Sequence, residues 1–566
     1  MHKLIKLFNK NKINGYIIPK NDEYFNEYVD KPKDRLKFVS GFTGSAGFAI
    51  ILKKQNYLFV DGRYTIQAKS QSGKNFKVIT IPNKLPKDVL KFKSRFTLGF
   101  DPKLHTENQI NFLYKIKNLA LKSINLNLVD LIWQKKPKEK IKKFFYLTNN
   151  STGKSSYKKI LELRRNLIKN KSDLLFISAP ENVAWILNIR GHDSKFSPTT
   201  NARLLINKRG RLDLFTNLKK IPETKNIFDY KIFVHDEKEL EKFVSKISNS
   251  TVWLDNQSCS IYYKKIFEKN NKILLKLDPI YLLKAVKNKT EIKNIKKSHL
   301  IDGLALTKFI LWLKENFKKR KITEISAQNK LENFRKKHIS YKYPSFNTIS
   351  GSGPNSAIIH YSASLKTNRI LKSGELYLVD SGGQYSFGTT DVTRTISLEN
   401  KSNYIKDIYT RVLKGHIAVS NFKINKNTTG SQIDKEARKF LKKIKLDYPH
   451  GTGHGVGYFS NVHEGPHSIS KNSKIKLKNG MVLSNEPGYY KKNSFRIRIE
   501  NLIYVNKNKF DELTIAPIEK NLINKKILNS KELKWINSYH KKVEKNLLKY
   551  IEPNYKNAFK KACLPI

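Results

Sequence analysis

The chain runs to 566 residues, well beyond the ~250–300 at which one hydrophobic core stops growing, so its length predicts about three domains. Hydrophobic residues make up 39% and aromatic residues 11%, which excludes an intrinsically disordered chain. The formal net charge is +63, but the lysines are scattered beside Asn and Ile in every segment (Lys10-Asn11-Lys12-Ile13, Asn506-Lys507-Asn508-Lys509), so it reads as composition bias and not as a specific nucleic-acid surface.

Cys259 and Cys563 lie far apart, which argues against a secreted disulfide framework and for a reducing compartment. Lysines interrupt the apolar residues of Met1–Phe8, unlike the apolar stretch of a signal peptide. No run reaches the ~18 apolar residues that span a bilayer. The expectation is a cytoplasmic protein with no membrane partner.

In chain order, residues 1–152 mix helical and strand patterns. Ile17-Ile18, Phe48–Leu52 and Tyr57–Val60 predict short buried strands. Gly41–Gly47 is a glycine-rich turn that lacks the Lys-Ser/Thr of a phosphate-binding loop, and Asp61-Gly62-Arg63 predicts a tight turn after a strand. Residues 153–290 alternate in the same way, with a helix over Leu161–Ile168, a strand over Asp173–Ser178, an apolar segment from Ala184 to Leu187 and a late strand over Val252–Asp255. Two successive α/β units of similar size suggest related domains, although no residue-level repeat is visible. A helix predicted over Glu291–Phe317 leads into residues 291–510, where Gly, His and carboxylates concentrate. Residues 511–566 form an extension with a helical pattern around Trp535–His540.

The chemistry-bearing residues lie in the third region. Leu376–Asp380 is an apolar strand ending in a carboxylate. Ser381-Gly382-Gly383 turns the chain, and Gly388–Thr395 returns as a strand carrying Asp391. A hairpin would bring Asp380 and Asp391 to one face, where two carboxylates repel unless a cation or a proton sits between them. His450-Gly-Thr-Gly-His454-Gly-Val-Gly457 places two imidazoles four apart. That spacing suits one helix face, but the glycines argue for a loop or a helix start. His463 adds a third imidazole. Met481–Glu486 reads as a strand ending before a Pro-Gly turn. Phe495–Val505 reads as one strand, with Arg496, Arg498 and Glu500 on one face and Ile497 and Ile499 on the other. Two Asp, two Glu and an imidazole make an oxygen-rich set suited to two divalent ions, with Mn²⁺ leading and Zn²⁺ or Co²⁺ the alternatives. Such a pair shares a bridging hydroxide and polarises a carbonyl.

These segments together resemble the pita-bread metallopeptidases, and specifically the three-domain aminopeptidase P (Xaa-Pro aminopeptidase) family. The resemblance rests on Asp380–Gln384, Gly388–Thr395, His450–Gly457, Asn461–Pro466, Glu486–Tyr490 and Arg498–Asn501. Phe38–Gly47 with Asp61–Tyr64 resembles the family's first domain, Ala184-Trp185 with Asn188–Gly191 its second, and Trp535–His540 its C-terminal extension. The resemblance implies two consecutive creatinase-N-like α/β domains followed by a pita-bread catalytic domain and a short extension. It also implies that Asp380 and Asp391 hold one ion, His454 and Glu486 complete the other, and Asp391 and Glu500 bridge. Glu486 would be the proton shuttle. His360 would be the substrate-site histidine, His450 and His463 would bind substrate and stabilise the tetrahedral intermediate, and Arg498 would be the active-site arginine. The implied reaction releases the first residue of peptides with proline second, in a homodimer. Two residues depart from the pattern: Arg496 stands where the family usually has Gly, and Ile301 precedes Asp302 where it often has Arg. A prolidase acting on dipeptides, an inert pita-bread binding module and a nucleic-acid binder are the alternatives. Three-domain length, the full ligand set and the lack of a recognition motif argue against them in turn.

Overall fold

The strands expected from the first apolar runs all form in the computed structural model, which describes residues 1–223, 230–399 and 401–566. The chain divides into two units, Met1–Tyr281 and Leu282–Ile566.

The first unit holds two six-stranded sheets. In the first, β1 (Gly15–Pro19), β2 (Phe48–Leu52), β3 (Asn56–Asp61), β4 (Lys77–Ile81), β5 (Phe96–Phe100) and β6 (Leu119–Ser123) lie in the order β4-β3-β2-β1-β5-β6. Neighbouring residues of a strand point to opposite faces. Here both faces are covered: Tyr16, Ile18, Ala49, Ile51, Leu58 and Val60 enter one core, and Ile17, Phe48, Ile50 and Phe59 enter another. That is why these strands read as unbroken apolar runs and not as alternating ones.

The second sheet contains β7 (Leu174–Ile177), β8 (Ala202–Asn207), β9 (Leu212–Thr216), β10 (Phe233–Asp236), β11 (Thr251–Leu254) and β12 (Lys272–Leu275), ordered β10-β9-β8-β7-β11-β12. This is the first sheet's order again. The pairing senses repeat as well: antiparallel between the first, second and third strands of each set, parallel in the other three pairings. The two α/β units expected from sequence therefore share one topology. Within the unit, Arg203 of β8 stacks 4.0 Å over the Tyr24 ring, whose hydroxyl donates to Glu237 at 2.7 Å.

The second unit opens with the helix Lys289–Asn316. Asn288 and Glu291 cap its start reciprocally, each side chain accepting the other's backbone N–H at 2.9–3.0 Å. Its apolar face, Leu306, Phe309 and Leu313, packs against Tyr377, Val379, Val392 and Ile396. The helix thus backs the two strands, Leu376–Ser381 and Val392–Ser397, that pair antiparallel with Asp380 opposite Thr393. A second core joins Ile408, Tyr409 and Val412 of the helix Asn403–Ser420 to Ile497 and Ile499. Ile536, Tyr539 and Val543 of the C-terminal helix Ser530–Leu547 enter the same core. The extension is therefore integral to the second unit.

Phe495–Val505 is not one strand. Phe495–Arg498 pairs with Gly488–Lys491, and Asn501–Asn506 pairs with Val482–Asn485. The ladder breaks at Ile499-Glu500 because Glu500 leaves the hairpin, its N–H donating to the Thr393 carbonyl at 3.2 Å. The facing strand breaks at Glu486-Pro487, where proline cannot donate. Glu486 and Glu500 thus occupy matching gaps in one long hairpin.

Candidate metal centre

Asp380 is the penultimate residue of the strand Leu376–Ser381, paired with Ile349 on one side and Thr393 on the other, and Asp391 immediately precedes Val392–Ser397. His454 comes from a third segment, Gly453-His454, pinned between two others. A Cβ on Gly453 would lie 2.0 Å from the Ser484 carbonyl, and one on Gly455 would lie 2.1 Å from the Glu464 carbonyl and 2.4 Å from the His467 ring. Only glycine permits those approaches. The His454 N–H donates to Ser484 Oγ at 2.9 Å, and the Glu486 N–H donates to the Thr452 carbonyl at 2.8 Å, so one loop carries His454 and aligns Glu486. The segment is extended and not helical, as its glycines suggested.

Ligand atoms of Asp391, His454 and Glu500 lie within 4.8 Å of one another. His454 Nε2 is 3.4 Å from Asp391 Oδ2 and 3.6 Å from Glu486 Oε1. Its Nδ1 is 3.0 Å from the Gly455 carbonyl. That carbonyl fixes the proton on Nδ1 and leaves Nε2 turned toward the carboxylates, the tautomer a metal ligand requires. Arg498 joins the other side: it pairs with Asp380, and lies 3.5 Å from Glu486 Oε2 and 3.5 Å from Glu500 Oε2. Thr393 links both, donating to Glu500 at 2.5 Å and accepting from Arg498 Nε at 2.8 Å.

The charge distribution calls for a cation. Asp380, Asp391 and Glu500 are buried, and one oxygen each of Asp380 and Asp391 has no hydrogen-bond partner among the described residues. Burial, followed by repulsion from Asp391, drives the Glu500 carboxyl well above the usual range. Burial also raises Asp391. Burial disfavours a charged His454 ring, yet Asp391 and Glu486 outweigh it and push it up to about 10. Burial opposes ionisation of Glu486 too, but Arg498 and the neighbouring histidines hold its carboxyl down at about 2. Crowded carboxylates that grip any available proton are a site short of positive charge, and the donor set fits divalent ions.

The other expected residues border this cluster. His450 lies 3.9 Å from Glu486 through Nδ1, which also contacts the Gly451 carbonyl at 2.7 Å, while its Nε2 accepts from the Tyr490 hydroxyl at 2.7 Å. Burial lowers its pKa to about 4, so the ring is neutral. The exposed His463 ring lies 4.3 Å from that of His454, centroid to centroid. His360, half-buried, follows Ile359, whose carbonyl accepts from Arg496 at 2.7 Å. Arg496 itself reaches Asp380 at 3.3 Å, so it enters the cluster, as alternation with Arg498 implied.

Sequence reasoning assigned no role to Thr393, Tyr490 or Arg394. Thr393 lies two positions from Asp391, and strand alternation was a usable signal for it. Arg394 is buried and spends its donors on the Glu500, Ala516 and Pro517 carbonyls, on Asn501 and on the Tyr539 hydroxyl, tying the ligand strands to the C-terminal extension. No local pattern announces those partners.

Comparison with known proteins agrees with this architecture. The family model for metallopeptidase family M24 matches residues 293–507, and that for the C-terminal region of peptidase M24 matches 507–566. Creatinase/prolidase N-terminal domain models match residues 1–125 and 135–291. A probable Xaa-Pro aminopeptidase P of Laccaria bicolor is 36% identical over 95% of this chain and 88% of its own length. Xaa-Pro aminopeptidase 1 of Dictyostelium discoideum is 35% identical over 98% and 93%. The crystal structure of X-prolyl aminopeptidase from Caenorhabditis elegans, described as a cytosolic enzyme with a di-nuclear active site, superposes with a TM-score of 0.94 at 30% identity, covering 100% of this chain and 99% of that one. With two creatinase-type N-terminal domains, a pita-bread domain and its C-terminal region in one chain, this protein belongs to the three-domain aminopeptidase P family of M24 metallopeptidases.

Proposed function

We propose that the protein is a dinuclear-metal aminopeptidase that hydrolyses the first peptide bond of peptides with proline second, releasing the N-terminal residue. The carrying observation is the convergence of Asp391, His454 and Glu500 within 4.8 Å, flanked by Asp380 and Glu486. Full-length likeness to Xaa-Pro aminopeptidases supports the substrate class. Relatives that match this chain over 95% or more of its length are named Xaa-Pro aminopeptidases, which favours the aminopeptidase over the prolidase reading.

Asp380 and Asp391 would hold one ion and His454 and Glu486 the other, with Asp391 and Glu500 shared between them. Mn²⁺ is the leading candidate for this oxygen-rich set, with Zn²⁺ and Co²⁺ behind it. When bound, the ions supply an activated water and polarise the scissile carbonyl. Glu486, kept ionised beside Arg498, is the proton acceptor and later returns the proton to the leaving nitrogen. Arg498 holds Asp380, Glu486 and Glu500 in register. Neutral His450, fixed by Gly451 and Tyr490, together with His360 and His463, binds the peptide and steadies charge that develops on its carbonyl oxygen. Proline offers no amide hydrogen and holds the chain bent, so recognising this bond requires a dedicated site.

We also read the protein as a cytoplasmic homodimer. Its relative in C. elegans is described as cytosolic, and no described helix is long and apolar enough to cross a membrane. Purified protein loaded with Mn²⁺ should release the first residue from a proline-second peptide. Equal release from the alanine-second analogue would overturn the proline assignment.

A further inference from the structure

Arg496 is wholly buried at 0% exposure, on the same strand face as Arg498 and beside the proposed ion site. Its Nη1 donates to the Ile359 carbonyl at 2.7 Å, and its Nη2 lies 3.3 Å from Asp380 Oδ2. Its backbone N–H is anchored to Ser356 Oγ at 3.1 Å, and its guanidinium lies 5.1 Å from the Tyr490 ring centroid. Arg498 claims the same Asp380 oxygen. Two fixed cations therefore share one oxygen of a single carboxylate. The tight ligand cluster consists of Asp391, His454 and Glu500, and Asp380 stands outside it.

Charge balance points the same way. Four carboxylates, Asp380, Asp391, Glu486 and Glu500, face two guanidinium groups that stay charged (Arg being protonated at any ordinary pH). One divalent ion, bound in place of the second His454 proton, makes the cluster neutral. A second leaves it with surplus positive charge in a buried setting, where such a surplus is least screened.

We propose that Arg496 is a built-in competitor for the Asp380 carboxylate, so that this chain holds one divalent cation firmly, at Asp391, His454 and Glu500, and a second only weakly. This rests on the metallopeptidase reading above and adds the residue that sets the inequality. A cation fixed a few ångströms from the second position opposes the incoming ion by direct repulsion and by occupying its ligand. Removing that charge is expected to tighten the second step ~10-fold or more.

The test counts ions. Full-length protein is stripped with a chelator and dialysed against buffered free Mn²⁺. Bound manganese is measured by elemental mass spectrometry and binding steps by calorimetry, for wild type, Arg496→Met and Arg496→Lys. Wild type should hold one ion per chain at a free Mn²⁺ concentration where Arg496→Met holds two, and Arg496→Lys, which keeps the charge, should follow wild type. Two equal-affinity steps in wild type would overturn the proposal without any variant, even if Arg496→Met failed to fold. An unchanged second step in Arg496→Met, or a tightened one in Arg496→Lys, would overturn it as well. Equal steps with proline-second cleavage intact at saturating Mn²⁺ would reject this proposal and leave the hydrolase standing. No Mn²⁺ bound at all would reject both.

Discussion

The two units of the chain use β-strands for opposite ends. In the first, the central strands of each sheet are continuous and buried, apolar residues cover both faces of the first sheet, and the same strand order appears twice. In the second, the strands are divided among sheets of two or three, and several are interrupted. The interruptions at Glu486-Pro487 and Ile499-Glu500, the residue before Val392–Ser397 and the two-residue strand Gly453-His454 are where four of the five proposed ligands sit, and Asp380 alone lies inside a paired strand. A residue inside an unbroken ladder has its backbone fully engaged and its side chain committed to one layer. A residue at a break can turn its side chain toward another segment. The first unit spends its sequence on stability, whereas the second gives up regularity to bring buried charges together.

The largest expected effect belongs to a break. Asp391→Ala should remove a shared ligand and lower kcat/KM by at least the ~10²–10³ that loss of one electrostatic group costs. Bound metal should fall in parallel, and the metal-free melting temperature should hold or rise, because a buried carboxyl raised by burial and repulsion is gone. The converse experiment sits in an unbroken ladder. Ile50→Ala, in the wholly buried centre of β2, should cost about 2–5 kcal/mol of stability and leave kcat/KM of the folded enzyme unchanged. If Asp391→Ala lost stability or Ile50→Ala lost catalysis in the folded state, the division of labour would fail.

Next in size is a charge pair that supports the histidine loop. Lys287 Nζ lies 2.5 Å from Glu464 Oε1, with Lys284 3.8 Å from the other oxygen, all at 2% side-chain exposure or less. Glu464 follows His463, and its N–H donates to the Gly455 carbonyl at 2.8 Å, beside His454. Lys287→Met should destabilise the catalytic unit by about 3–5 kcal/mol, since it leaves a buried carboxylate short of its closest cation. Adding Glu464→Leu together with Lys284→Met, so that no member of the buried charge group is left alone, should recover most of that loss in chemical denaturation. A single variant as stable as wild type would show that Lys284 alone suffices.

How much of this was legible follows from where each signal resides. Asp380, Asp391, His454, Glu486 and Glu500 could be singled out as a candidate set because apolar strands that run into a carboxylate, glycines and a Pro-Gly turn are local marks. The alternation that set Arg496 and Arg498 opposite Ile497 and Ile499 is also local. The break at Ile499-Glu500 was hidden, because the period-two pattern runs straight through it and only Thr393, over a hundred positions away in sequence, draws Glu500 out. The shared topology of the two sheets was hidden for the same reason: strand order is a property of pairing partners, whereas the residues record only burial. Arg394 is the clearest case. It lies inside a legible motif, but its partners Ala516, Pro517 and Tyr539 come from the extension.

The smallest effect tests whether the extension is as integral as that arginine implies. His540, in the helix Ser530–Leu547, accepts the Ile518 N–H through Nε2 at 3.1 Å, so the fold requires that nitrogen to be unprotonated. Burial, followed by the charges of Lys520 and Arg394, lowers its pKa to about 4. An unfolded histidine titrates near ~6.5, so the unfolded chain binds this proton first as pH falls. The contribution of His540 is therefore complete above about pH 6.5 and is lost progressively down to about 4, up to ~3 kcal/mol in all. His540→Gln keeps an acceptor for Ile518 and removes the titration. Stability measured by denaturant between pH 7 and 4 should fall less steeply in that variant. His105, buried in the first unit with Nδ1 3.0 Å from the Asp101 carbonyl and its pKa likewise lowered to about 4 by burial, is the matched control. If His105→Gln flattened the acid limb of the second unit's transition and His540→Gln did not, the extension would not be the element that couples that unit's stability to protons.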